Sequence, residues 1–193
     1  MENKRKKLML DLFSQAQSST LMNKELVEWL EKNKFFEQVA STKYHGDYTG
    51  GLFDHSYQVT LKLLELTKNL ELKWERPESP YIVGLFHDLC KIDAYEVTVL
   101  KEGKQLFGSD DVLDEKLSIT RNDEMMLKGH GDKSVMLLSQ FINLTEEEIL
   151  CIRYHMGAYE TENWNEYDRA IKKYETVLWT HTADMYASKV KNI

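Results

Sequence analysis

The chain has 193 residues, of which 42% are hydrophobic, so it is long enough for one domain with a sizeable buried core. Its formal net charge of −7 argues against the broad basic surface of a general nucleic-acid-binding protein, although a small phosphorylated ligand held through a metal remains compatible. No apolar run has the length of a membrane span, and the first residues lack the apolar stretch of a signal peptide. The two cysteines, Cys90 and Cys151, do not make a disulfide framework, so we expect a reducing, cytoplasmic location without membrane attachment.

Helical periodicity dominates the N-terminal half. Apolar residues recur three or four positions apart from Leu21 to Leu30, and the same spacing returns from Val59 to Leu70. The sequence shows no internal repeat and no low-complexity linker. We therefore expect an all-α bundle formed by one domain over residues 1–193, with residues 1–20 as an N-terminal helical extension.

The middle of the chain departs from this pattern twice. Pro77 and Pro80 mark a turn that precedes a strongly apolar helix. Further on, helical spacing fails, and apolar residues flank Glu102-Gly103 on both sides. This arrangement predicts a small β-hairpin insertion around residues 95–119.

The C-terminal part is again helical. Residues 145–148 (Thr-Glu-Glu-Glu) form a capping box that should begin a helix running to His155. Residues from about 168 to 190 are predicted to form one long final helix, which carries Asp184.

The most informative feature is the pair His87-Asp88, which lies at the end of the apolar helix. A charged carboxylate in an apolar wall needs a partner, because an unpaired buried charge is costly, and a divalent cation is one such partner. Further residues of ligand type are spread along the chain, at His55, His130, His155 and Asp184. Imidazole and carboxylate together favour Mn, Fe, Co, Ni or Zn, and helical bundles build such sites from inward-facing side chains.

The order of these residues resembles the HD-domain superfamily of metal-dependent phosphohydrolases, in which a His, a His-Asp pair and a distant Asp follow one another. Longer stretches resemble a small prokaryotic and phage-borne branch that is similar to the HD domain of certain bacterial 3′–5′ exoribonucleases. These stretches are Phe35-Phe36, Ser41 to Gly46, Tyr48 to Leu52, Gly129 to Ser134 and Arg153 to Gly157. The resemblance covers roughly residues 20 to 190.

The resemblance implies an HD-domain helical bundle and a divalent metal cofactor of one or two ions (Mn, Fe, Co, Ni, Zn or Mg). The implied ligands of the first ion are His55, His87, Asp88 and Asp184. The implied ligands of the second ion are His130 and His155, with Asp88 bridging the two ions. A single-metal site is the alternative, because Gly129-His130-Gly131 is also compatible with a polar turn before a helix.

Other polar residues are assigned to the substrate. Lys91 follows Asp88 by one helical turn and is expected, with Asp88, to be catalytic and to contact the phosphate. Lys133 and His45 are further candidates for substrate binding, although Lys133 is equally compatible with an ordinary salt bridge. His181 lies one turn before Asp184, where it is expected either to pack or to orient that carboxylate.

We therefore interpret the chain as a metal-dependent phosphohydrolase that cleaves a phosphate mono- or diester, expected to be that of a nucleotide, by a metal-activated hydroxide. The alternatives are a 3′–5′ exonuclease acting on single-stranded nucleic acid and a non-catalytic protein that senses nucleotides. A small phosphorylated molecule is the expected partner and nucleic acid the less favoured one, whereas the sequence leaves the oligomeric state open.

Overall fold

A computed structural model describes residues 4–101, 104–105, 112–113, 116–157 and 164–193. Its α-helices are α1 Lys4–Ala16, α2 Lys24–Lys32, α3 Gly51–Asn69, α4 Ser79–Phe86, α5 Gly131–Leu138, α6 Glu146–Arg153, α7 Trp164–Lys173 and α8 Thr176–Met185. A 3₁₀ helix covers Leu89–Asp93, and a π-helical segment covers Tyr186–Lys191. The strands are β1 Tyr95–Lys101, β2 Lys104–Gln105, β3 Val112–Leu113 and β4 Lys116–Arg121. The predicted all-α architecture with a small hairpin is confirmed.

Local sequence signals explain several helix boundaries. The capping box is present, because the Thr145 hydroxyl accepts from the Glu148 amide and the Glu148 side chain accepts from the Thr145 amide. Asn23 caps α2 through its side-chain oxygen, which accepts from two backbone amides. Pro80 occupies the first turn of α4, where a missing N–H costs nothing.

The core lies between α3, α4 and α8, with α6 packed against α4, α5 and α8. Phe35, Phe53 and Phe86 are fully buried and meet ring to ring at its centre. Helices α3 and α4 approach closely because residue 84 is glycine: a Cβ there would lie 2.6 Å from the Cα of Thr60. Within the described residues, no helix is both long and apolar enough to cross a membrane.

The predicted hairpin is present, and its two main strands are β1 and β4. β1 pairs antiparallel with β4, so that Val97 lies opposite Ile119, and the short strands β2 and β3 pair with each other. β1 therefore pairs with the distant strand β4 and not with β2, which follows it directly in the sequence. The predicted turn at Glu102-Gly103 lies outside the described residues.

The prediction of one long final helix is wrong. The chain forms α7 and α8 separately, and the π-helical segment follows α8 directly. At the break, the Tyr174 hydroxyl donates to Glu75 at 2.6 Å, and the Thr176 hydroxyl donates to the buried Glu147 at 2.6 Å. These are bonds to distant parts of the chain, which sequence periodicity does not encode. Helix α6 also ends at Arg153, two residues before His155.

Candidate metal centre

The structure brings together all six residues that the resemblance implies as metal ligands. Each comes from an element or the end of one: His55 from α3, His87 and Asp88 from the end of α4, His130 from the start of α5, His155 from the turn after α6 and Asp184 from α8. All except His130 are buried. Residues that are 129 positions apart in the sequence thus meet at one place.

One half of the centre contains His55, His87 and Asp88, whose ligand atoms all lie within 4.8 Å of one another. The Nε2 atoms of His55 and His87 are 3.3 Å apart. The Oδ2 atom of Asp88 lies 3.5 Å from the Nε2 atom of His55 and 3.6 Å from the Nε2 atom of His87. Asp184 adds a second carboxylate, with its Oδ1 atom 3.1 Å from His55 Nε2.

The other half contains Asp88, His130 and His155, again with ligand atoms within 4.8 Å of one another. In this half, it is the Oδ1 atom of Asp88 that faces the histidines, at 2.8 Å from His130 Nε2 and 3.4 Å from His155 Nε2. Asp88 therefore directs a different carboxylate oxygen toward each histidine pair. This is the arrangement expected of a carboxylate that bridges two cations.

The imidazoles are oriented through their other ring nitrogen. Nδ1 of His87 donates to the Gly84 carbonyl at 2.9 Å, Nδ1 of His155 to the Ile152 carbonyl at 2.6 Å, and Nδ1 of His55 to the Ile193 carbonyl at 2.9 Å. A proton held at Nδ1 leaves the Nε2 lone pair of a neutral ring for a metal. In His130 the corresponding neighbour of Nδ1 is the Cys90 sulfur, 3.6 Å away.

Unsatisfied polar atoms test whether these residues fit a cation. Four buried side-chain N or O atoms in the described part of the chain have no hydrogen-bond partner, and three of them are Asp88 Oδ1, His130 Nε2 and His155 Nε2. Although Asp88 Oδ1 and His130 Nε2 are 2.8 Å apart, their angles are not those of a hydrogen bond. Buried polar atoms are normally paired, so their convergence fits a divalent cation bound by imidazole and carboxylate.

Burial and neighbouring charges favour the neutral imidazole of His87 and the ionised carboxylate of Asp88, but they oppose the neutral form of His130. Burial lowers the pKa of His87 to about 3, which keeps its imidazole neutral. Burial raises the pKa of Asp88, but Lys91, His87 and His130 outweigh it and hold that pKa well below its usual range. For His130, burial lowers the pKa, but the Asp88 carboxylate outweighs it and raises the pKa well above its usual value. A cation that binds His130 must therefore displace a proton.

A cavity of about 120 Å³ opens beside the centre. Its walls contain Asp88, Asp184 and Lys91, together with His45, Met156, His181, Met185, Ser188 and Lys189. Lys91 is nearly buried, and its ammonium binds Asp88 Oδ2 at 2.7 Å. The His45 ring lies 4.9 Å from the His55 ring, and burial lowers the pKa of His45 to about 4. Lys91 and His45 thus both line the cavity beside the centre, and their predicted contact with substrate stays a prediction.

Two other predicted residues lie elsewhere or act differently. The Lys133 ammonium is buried and pairs with Asp93, with the Met125 sulfur 3.4 Å away, and its predicted contact with substrate stays a prediction. His181 does not orient Asp184 through a hydrogen bond. Its Nδ1 atom instead donates to the carbonyl of His155 at 2.7 Å, so the ring supports a histidine of the opposite half of the centre.

Comparison with known families agrees with this geometry. The family model for the HD domain matches residues 52–179, which is well over half of the chain. The chain belongs to the HD-domain family. HD domains are a superfamily of metal-dependent phosphohydrolases that bind divalent metals, although some members are non-catalytic. The match covers His55 through His155, whereas Asp184 lies five residues beyond its end. Searches of curated proteins and of solved structures gave no significant match.

Sequence reasoning missed several residues that complete the site. Met156, Met185, Ser188 and Lys189 line the cavity, and the Ile193 carbonyl orients His55. Met156 lies in the Arg153 to Gly157 stretch but was not singled out, whereas Met185, Ser188 and Lys189 belong to no motif. These last three lie on α8 and on the π-helical segment, which contacts α3. For Met185, Ser188 and Lys189 the sequence signal was the four-residue spacing that links Asp184 to Ser188 and Met185 to Lys189.

Proposed function

We propose that this HD-domain protein hydrolyses a phosphate mono- or diester of a nucleotide, using two divalent cations held by the six-residue centre. The observation that carries the proposal is the Asp88 carboxylate, whose two oxygens each face a separate histidine pair. When bound there, such cations would activate water for attack on phosphorus and neutralise charge on the phosphoryl oxygens. The extended motifs support placement in the small prokaryotic and phage-borne branch of the family.

The residues of the chain have separate tasks in this proposal. Asp88 holds both halves of the centre together, while the buried imidazoles fix their Nε2 atoms by donating from Nδ1 to backbone carbonyls. Lys91 contacts Asp88 in the cavity wall and can donate to an oxygen of the phosphoryl group. An ammonium aimed at charge that develops in the transition state contributes about 2–4 kcal/mol for one well-placed donor.

The substrate class rests on the size and lining of the cavity. At about 120 Å³ it is small beside the pockets of roughly 300–1,000 Å³ that enclose drug-sized ligands, which favours a substrate that inserts a phosphoryl group and leaves part of itself outside. Two methionine side chains beside the polar end suit contact with a flat ring such as a nucleobase.

The experiment is a hydrolysis assay with manganese-loaded protein and a panel of substrates: an aryl phosphate, a bis-aryl phosphodiester, nucleoside monophosphates and a short single-stranded oligonucleotide. We expect turnover of a monoester or diester by the wild type and none by Asp88→Asn. Asp11→Asn on the exposed face of α1 is the matched control and should retain full activity. Full activity in Asp88→Asn contradicts the mechanism, and nucleotide binding without any turnover in the wild type supports a sensor instead.

A further inference from the structure

The wall of the cavity continues beyond the metal centre along the last helical segment. His181, Asp184 and Met185 of α8 line the cavity, and Ser188 and Lys189 of the π-helical segment line it further along. The pairs 184/188 and 185/189 are each four residues apart, close to one helical turn, and both members of each pair line the cavity. Lys189 therefore lies about one turn past the Asp184 ligand.

The two lysines of this wall are in different electrostatic states. Lys91 is nearly buried and already neutralised by Asp88 at 2.7 Å. Lys189 is exposed, and in the part of the chain that the structure describes it has no acidic partner. Both carboxylates of the wall, Asp88 and Asp184, are surrounded by imidazoles of the centre. The positive charge of Lys189 is thus available to a ligand in the cavity.

We propose that Lys189 determines specificity by binding a second anionic group of the substrate, so that the preferred substrate is a nucleotide that carries a phosphate besides the one hydrolysed. The inference rests on the proposed function, because it places the reacting phosphate at Asp88 and Lys91. Two lysines line the cavity, and since Lys91 is paired with Asp88, Lys189 is the lysine of this wall without an acidic partner among the described residues.

The test compares adenosine 5′-monophosphate with adenosine 3′,5′-bisphosphate, which differ by one phosphate. Lys189→Ala should raise KM for the bisphosphate about fivefold, the upper range for a solvent-accessible ion pair, and leave kcat unchanged. The KM for the monophosphate should stay within about twofold. Lys189→Glu should raise the bisphosphate KM further. Lys191→Ala is the matched control, because this lysine of the same segment lies over the Tyr186 ring and does not line the cavity.

Equilibrium binding of both nucleotides to metal-free protein, measured by calorimetry, separates the two proposals. Tighter binding of the bisphosphate that disappears in Lys189→Ala supports the role of Lys189 even if the wild type shows no turnover on the whole substrate panel, a result that would refute the hydrolase proposal alone. Equal affinity and equal KM for both nucleotides in wild type and Lys189→Ala would overturn the role of Lys189, whether or not hydrolysis occurs. Binding of neither nucleotide would overturn the role of Lys189, and the hydrolysis panel decides the proposed function separately.

Discussion

Replacement of Lys91 by methionine should destabilise the metal-free protein much more than the metal-bound protein. The Lys91 and Asp88 side chains are only 10% and 2% exposed, and their ion pair is 2.7 Å long. Lys91→Met keeps much of the side-chain length but removes the ammonium. In the metal-free protein it leaves a nearly buried carboxylate without its closest positive partner.

The size of the effect follows from the burial of this pair. Removal of one partner from a buried ion pair costs about 3–5 kcal/mol, and the neighbouring His130 at 2.8 Å compensates for part of the loss. We therefore expect the free energy of unfolding of the metal-free variant to fall by about 3 kcal/mol. With a divalent cation bound at Asp88, the carboxylate has a new partner, and the difference from wild type should shrink to about 1 kcal/mol or less.

The measurement is urea unfolding of both proteins with EDTA and with saturating Mn²⁺. Lys172→Met is the control, because Lys172 forms an exposed pair with Asp168 at 2.6 Å and should cost less than about 1 kcal/mol under both conditions. A loss in Lys91→Met that is equally large with and without Mn²⁺ would refute the reasoning, since it would show that no cation takes over as the partner of Asp88.

Three further predictions concern stability. Burial lowers the pKa of His45 from 6.5 to about 4, so between these pH values the unfolded chain binds a proton that the folded chain does not. The free energy of unfolding of the metal-free wild type should therefore fall relative to that of His45→Asn as the pH is lowered from about 6.5 to 4. Parallel curves of unfolding free energy against pH for the two proteins would contradict this. Glu148→Gln should lower the free energy of unfolding by about 3–4 kcal/mol, because the fully buried carboxylate binds Arg76 at 2.6 and 2.8 Å. A loss below about 1 kcal/mol, measured by urea unfolding, would be inconsistent with that pairing. Gly84→Ala should cost about 1–3 kcal/mol and weaken Mn²⁺ binding, because its Cβ would push α4 away from α3; unchanged affinity by isothermal titration would show that helix spacing does not control the centre.

The features that could be predicted from the sequence are those that depend on neighbouring residues or on residue type alone. The capping box at Thr145 and the hairpin region around residues 95–119 both express short-range rules, and both are found in the structure. The ligand-type residues were also found in advance, because their types and order are visible without the fold. The structure adds their convergence on two sides of the Asp88 carboxylate.

What could not be predicted depends on contacts between distant segments. The break before α8 is fixed by bonds from Tyr174 and Thr176 to residues that lie far away in sequence. The partner of His55 Nδ1 is a backbone carbonyl, which carries no sequence signature. For Lys133 a salt bridge was one of two predicted alternatives, but its partner Asp93 and its burial depend on how distant segments pack.

The most direct test of the metal centre is the number of Mn²⁺ ions bound per chain at equilibrium, measured by dialysis and elemental analysis. The two-sided geometry of Asp88 predicts about two ions in the wild type, about one in His130→Ala and fewer than one in Asp88→Asn. A wild type that binds no Mn²⁺, or an Asp88→Asn variant that binds as many ions as the wild type, would contradict the assignment of these residues as a metal centre.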